Sequence, residues 1–123
     1  MNRPVTAVIA GAGGRGTTYA AFALEHPDRL KIVGVAEPKE WNRRRLSEQH
    51  AIPPAAVFSD WTELAAQPRL ADVVIIATQD AMHADPAVAF AAKGYNILLE
   101  KPMAPNEADC ARIAAAVKQA GVL

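Results

Sequence analysis

A chain of 123 residues with 13 basic and 13 acidic side chains has the size of one domain and no net charge. That excludes a two-domain chain and a polyanion-binding arm for nucleic acid. Apolar residues make up 51% and charged residues 21%, which excludes intrinsic disorder, while a lone cysteine, Cys110, excludes an internal disulfide and leaves no Cys/His set for a metal.

The first predicted element is a strand at Val5 to Ala10 (VTAVIA), a β-branched run with the look of a strand buried on both faces of a parallel sheet. It is too short for a signal-peptide core or a membrane span, so a soluble cytoplasmic protein with no membrane contact is expected. A glycine cluster follows. Gly16, Ala20, Ala23 and Leu24 then recur at helical spacing, and the helix stops before Pro27. A second strand is read at Leu30 to Ala36 and an exposed helix from Lys39 to His50, stopped by Pro53-Pro54. Val57-Phe58 is taken as a short third strand, and Ser59 or Asp60 as the cap of a helix running to about Gln67. Asp72 to Thr78 (DVVIIAT) reads as a buried strand, Pro86 to Lys93 as a helix closed by Gly94, and Asn96 to Leu99 as a further strand. Asn106 with Asp109 resembles a capping pair for a last helix, with Cys110, Ile113, Ala114 and Val117 on one face and its end at Gly121. Alternation of this kind specifies a doubly wound parallel α/β sheet with right-handed crossovers, a Rossmann fold. Val122-Leu123 reads as the opening of another strand, so the chain is expected to continue into a longer two-domain protein.

Gly11-Ala12-Gly13-Gly14-Arg15-Gly16 matches G-x-G-x-x-G between the first strand and the first helix. Gly11 permits the tight turn, Gly13 lets a pyrophosphate approach the backbone, and Gly16 lets the helix pack close to the strand. Glu37 follows about 20 residues later, directly behind the second strand, where a carboxylate accepts hydrogen bonds from an adenosine ribose. A 2′-phosphate about 4 Å from that carboxylate is opposed by a few kcal/mol, roughly 10² to 10³ in affinity, so NAD is expected over NADP. Arg15 and the run Arg43-Arg44-Arg45 stand against this, although at least two of that run are expected to form a solvated helix face.

Ligands of open α/β sheets bind at the carboxyl ends of the strands, which directs attention to Thr78-Gln79-Asp80-Ala81-Met82-His83 and to Glu100-Lys101-Pro102. In this register, with the glycine fingerprint at the start, Ala77-Thr78 and His83 closing one strand and Gly94 before the next, Glu100-Lys101-Pro102 resembles the N-terminal domain of the Gfo/Idh/MocA oxidoreductases. The resemblance covers essentially the whole chain. It implies an NAD(P)-binding Rossmann domain followed by a larger α+β substrate domain. It also implies a hydride transfer between nicotinamide and a hydroxyl or carbonyl of a sugar, polyol or related small molecule. Carried over by position, Gly11, Gly13 and Gly16 would hold the pyrophosphate, Glu37 the adenosine ribose, Thr78 and Asp80 the nucleotide and nicotinamide side, and Glu100 and Lys101 the nicotinamide end beside the substrate, with Gly14, Arg15 and Pro102 counted among the cofactor-binding residues. Where the family often has Thr-Pro-Asn, this chain has Thr78-Gln79-Asp80.

The chemistry asks the protein to move one proton on or off an alcohol oxygen, which a lysine can do, and Lys101 is the candidate. His83 either faces the substrate as a second catalytic group or sits in the first turn of the next helix. His26 and His50 lie near helix ends, where a cation suits the dipole. Trp41 and Trp61 fall where either the adenine edge of the site or a packing surface would lie, packing being the favoured reading, and Cys110 is read as a small buried hydrophobe. The alternatives are an NAD-retaining glycoside hydrolase and a non-catalytic nucleotide sensor. The intact protein is expected to be a homo-oligomer, and the fragment alone to be inactive.

Overall fold

The computed structural model describes residues 3–79 and 82–123. In chain order the elements are β1 (Val5–Ala10), α1 (Gly14–Glu25), β2 (Leu30–Ala36), α2 (Glu40–Gln49), β3 (Val57–Phe58), α3 (Trp61–Ala65), β4 (Val73–Ile76), α4 (Ala84–Ala92), β5 (Asn96–Leu99) and α5 (Glu107–Ala120). A single 3₁₀ turn, Pro54–Ala56, leads into β3. All five strands are parallel, in the order β3-β2-β1-β4-β5. The chain therefore winds outward in one direction from β1 and then in the other, and the reversal falls between β1 and β4.

Alternation along the strands builds one core on each face of the sheet. Val8, Ala10, Val74 and Ile76 point to the side carrying Leu64, Phe90, Tyr95 and Ile113 from α3, α4, the segment before β5 and α5. Ala7, Ile9 and Ile75 point to the other, against Ala20 and Ala23 of α1 and Leu46 of α2. Ile32 and Val35 share that second face although they are three residues apart. The β1–β2 register slips between Ala7 and Val8, so that Ala7 pairs with Ile32 and Val8 with Gly34, and the extra residue restores the side-chain parity. On the first face Phe90 and Tyr95 meet edge to face at 5.2 Å, and the Tyr95 hydroxyl accepts the Leu70 N–H at 2.9 Å.

Helix ends follow local chemistry. Asp60, rather than Ser59, caps α3 by accepting the Trp61 N–H at 2.8 Å, and Ser59 donates to Glu63 instead. Asn106 caps α5 through the Asp109 N–H at 2.8 Å, and Gly121 closes it in the left-handed conformation at φ 70°. Arg3 and Asp72 clasp the start of β1 to the start of β4 by two parallel bonds of 2.7 and 2.8 Å. The Ile97 N–H donates to Leu123 O at 3.0 Å, placing the last residue beside β5.

Several expectations are corrected by the layers. Trp41 does not pack: it lies on the outer side of the first turn of α2 and is 71% exposed, whereas Trp61 does pack, 6.4 Å from Phe90. Leu24 is 53% exposed, and Ala114 faces solvent on α5. Cys110 is half-buried. His26 and His50 are the C-cap residues of α1 and α2, and burial pushes the His50 imidazole below its ordinary value. Among the described residues no helix is long and apolar enough to cross a membrane.

Candidate functional site

The carboxyl ends of β1, β2 and β4 open on a cleft of about 340 Å³ lined by Gly11, Gly13, Glu37, Pro38, Lys39, Asn42, Ala77, Thr78, Gln79 and Met82. Its floor is the glycine turn. Gly11 has φ +100°, and a Cβ there would lie 2.6 Å from Ala77 O, so neither the conformation nor the space admits a side chain. A Cβ on Gly16 would lie 1.9 Å from Gly11 O, which is how closely α1 approaches the turn. Gly13 and Gly14 differ, since a Cβ at either would meet nothing within 4 Å. The space over them is open, and the first N–H groups of α1 have no partner inside the helix. A bare backbone at a helix N-terminus beside an open cleft fits a diphosphate.

Glu37 lies at the end of β2 and is only 7% exposed. One carboxylate oxygen accepts the Ala12 N–H and the other the Lys39 N–H, each at 2.8 Å. The side chain thus holds the glycine turn and the β2–α2 loop together. Glu37 lines the cleft, and a carboxylate oxygen can accept a second bond, so ribose hydroxyls reaching this wall would find an acceptor. Arg43 donates to Glu37 O at 2.7 Å and bolts the same loop down from α2. Arg45 donates to Thr17 Oγ1 at 3.0 Å, so of the three arginines only Arg44, paired with Glu40, behaves as the expected solvated face. The two others are drawn in because α2 lies against the loop and α1.

The β5 loop is tied to α1 from the far side. Glu100 is buried, accepts a short hydrogen bond from the Tyr19 hydroxyl, and pairs with Arg15 Nε at 3.3 Å. The Tyr19 hydroxyl, backed by the Arg15 guanidinium, holds the Glu100 carboxyl below the usual carboxylate range against its burial. Arg15 also lies over the Tyr19 ring, 5.0 Å from its centroid. Both residues expected to touch cofactor are therefore engaged with protein groups, and Tyr19 was missed. The available signal was its place one helical turn after Arg15. Lys101 and Pro102 follow on the exposed rim, joined by a cis peptide bond. Asp80 lies outside the described residues.

Thr78 lines the cleft, and its hydroxyl donates to Met82 O at 3.3 Å. His83 does not line it. The ring is fully buried at the N-terminal boundary of α4, with Nδ1 2.8 Å from Pro102 O and Nε2 3.1 Å from Thr78 O. Of the two readings made from sequence, the place at the start of the next helix is the one the ring occupies, with both nitrogens turned to main-chain carbonyls. Among the described residues no group of three or more His, Cys, Asp or Glu could hold a metal ion.

The family model for an oxidoreductase family with an NAD-binding Rossmann fold, Gfo/Idh/MocA, matches residues 5–123. A 2,7-anhydro-N-acetylneuraminate hydratase of Escherichia coli is 29% identical over 114 residues, 93% of this chain and 29% of that protein. A scyllo-inositol 2-dehydrogenase (NADP(+)) of Bacillus subtilis is 39% identical over 69 residues, 56% of this chain and 21% of that protein. The crystal structure of an aldose-aldose oxidoreductase from Caulobacter crescentus, complexed with glycerol, superposes with a TM-score of 0.82 at 25% identity, over 98% of this chain and 36% of that one. The chain spans about a third of the length of the curated relatives it matches. With its glycine turn, its acidic residue behind β2 and its match over residues 5–123, the chain belongs to the Gfo/Idh/MocA oxidoreductase family as its NAD-binding Rossmann domain.

Proposed function

We propose that the intact protein is a dehydrogenase acting on a hydroxyl or carbonyl carbon of a sugar, polyol or related small molecule, and that this chain continues there into a substrate-binding domain. The observation that carries the proposal is convergence. The glycine turn, Glu37 and Thr78 line one cleft at the carboxyl edge of the parallel sheet, beside the switch point between β1 and β4, and the Lys101 turn follows β5 at the same edge. Bound nicotinamide supplies the two-electron chemistry. The chain's own residues bind and orient. The open backbone over Gly13 and Gly14 takes the diphosphate, Glu37 takes the ribose, and the Lys101 amine takes or returns the proton of the substrate oxygen.

The relatives support the substrate class through their names, which refer to a sialic acid derivative, an inositol and an aldose. The alternatives of glycosidic cleavage and nucleotide sensing find no support among them. Replacing Lys101 by Ala in the intact protein is expected to lower turnover by at least about 10²-fold with NADH affinity nearly unchanged. Wild-type turnover in that variant ends the proposal for Lys101. The extent of the chain is checked by intact mass, which is expected to exceed that of 123 residues in natively produced protein.

A further inference from the structure

Three polar or charged side chains are buried among the described residues: Glu37, Glu100 and His83. The two carboxylates serve the glycine turn and α1, as described above. His83 serves neither, and the function proposed so far makes no use of it. The other buried residues of α4 are Ala84, Pro86, Ala87, Phe90 and Ala91, so an imidazole at this boundary is a polar ring in an apolar row. It does not cap its own helix. Its partners are instead two carbonyl oxygens on separate loops, Pro102 O at 2.8 Å and Thr78 O at 3.1 Å. Both partners are acceptors, so each asks the ring for an N–H. A neutral imidazole offers one and an imidazolium two.

One of these loops borders the cleft and the other carries Lys101. Thr78 is on the wall of the cleft, and Pro102 is the residue after Lys101. We propose that His83 is a positioning residue, bridging the Thr78 loop and the Lys101–Pro102 turn so that the amine is registered against the cofactor cleft by a ring that reaches neither substrate nor cofactor. The proposal rests on the reading of Lys101 as the proton-transferring group.

The amide of an asparagine overlies Nδ1 of a histidine and that of a glutamine overlies Nε2, so the two links can be kept one at a time. In the intact protein, His83→Asn, His83→Gln and His83→Leu are compared with Lys101→Ala. The readouts are NADH affinity, turnover, and amide hydrogen exchange of the peptides spanning Thr78 and spanning Lys101 to Met103. His83→Asn keeps the Pro102 link. It is expected to weaken NADH binding by about tenfold, lower turnover by about threefold or less, and speed exchange in the Thr78 peptide only. His83→Gln keeps the Thr78 link and is expected to do the reverse, with turnover down about tenfold and faster exchange in the Lys101 peptide only. His83→Leu loses both. Should His83→Leu fail to fold, the Asn and Gln pair decides alone. Equal losses of affinity and turnover in the Asn and Gln variants, with exchange altered alike in both peptides, overturn the bridge. Wild-type turnover in Lys101→Ala overturns the reading of the lysine, while the contrast in exchange still decides the bridge.

Discussion

Asp72 accepts from Arg3 Nη1 at 2.7 Å and Nη2 at 2.8 Å, from the Thr6 N–H at 3.0 Å and from the Thr6 hydroxyl at 3.1 Å. The Arg3 guanidinium, aided by the Thr6 N–H, holds the Asp72 carboxyl well below the usual carboxylate range. Because the folded value lies below the unfolded one, this stabilisation is fully present above the unfolded carboxylate range near pH 4 and fades as the pH falls below it. Thermal melts between pH 7 and pH 2 are expected to show a loss of stability below about pH 4 that is smaller in Asp72→Asn than in the parent. At pH 7 the substitution is expected to lower the melting temperature only slightly, since Arg3 is largely solvated. The clasp was not read from sequence. Two charges 69 positions apart become neighbours only when β1 and β4 are laid side by side. The glycines were readable because Gly11 and Gly16 answer a local demand, the absence of a Cβ where the backbone folds onto itself. The spacing placed Glu37 behind β2, where it lines the cleft. Its two main-chain partners, Ala12 and Lys39, were not readable.

Among the secondary-structure elements, α1 shows how a short motif becomes a site. Its first turn can sit against the end of β1 only because Gly16 has no side chain. Gly16→Ala is expected to push α1 outward, at a cost of about 1 to 3 kcal/mol in chemical denaturation, and to weaken NADH binding as the helix N-terminus leaves the diphosphate position. An unchanged NADH affinity would mean that the N-terminus of α1 is not where the dinucleotide binds. Apolar spacing and caps were enough to name the five α-helices and five strands of the described residues, even the two-residue β3, because each element follows from chemistry within about one turn of its ends. They were not enough to say which helix face is covered. Leu24, Ala114 and Trp41 have apolar side chains at suitable spacing and are exposed, because period selects a face and only a neighbouring layer buries it.

At the level of the assembled sheet, the strand order brings together segments that are remote in sequence. The glycine turn at 11–16, the acid at 37 and the loop at 78 meet because β2 and β4 flank β1 in parallel. Binding to this arrangement is expected to register as stability. NADH at 100 times its dissociation constant should add about 2.7 kcal/mol to unfolding, and, on the proposal that the fixed Glu37 carboxylate takes the ribose, NADPH at the same concentration a smaller amount. The Bacillus subtilis relative is named for NADP(+), so the comparison belongs on this chain's own Glu37. An equal or larger thermal shift with NADPH would remove that role from Glu37. Replacement by Gln, with the same pair of titrations, would locate the discrimination in its charge.

What the amino-acid order settled unaided is the alternation of strand and helix, the Rossmann turn, and the cofactor class. Each depends on interactions within a few residues or on a fixed spacing between neighbouring elements. Three things were decided only by packing. Tyr19 and Arg15 hold Glu100, Arg43 and Arg45 turn inward, and His83 is enclosed between two loops with both nitrogens on carbonyl oxygens. The physical reason is common to all three. A polar side chain takes its role from whichever donors and acceptors surround it once water is excluded, and those partners lie on other elements, brought within reach only by closure of the sheet and its two layers.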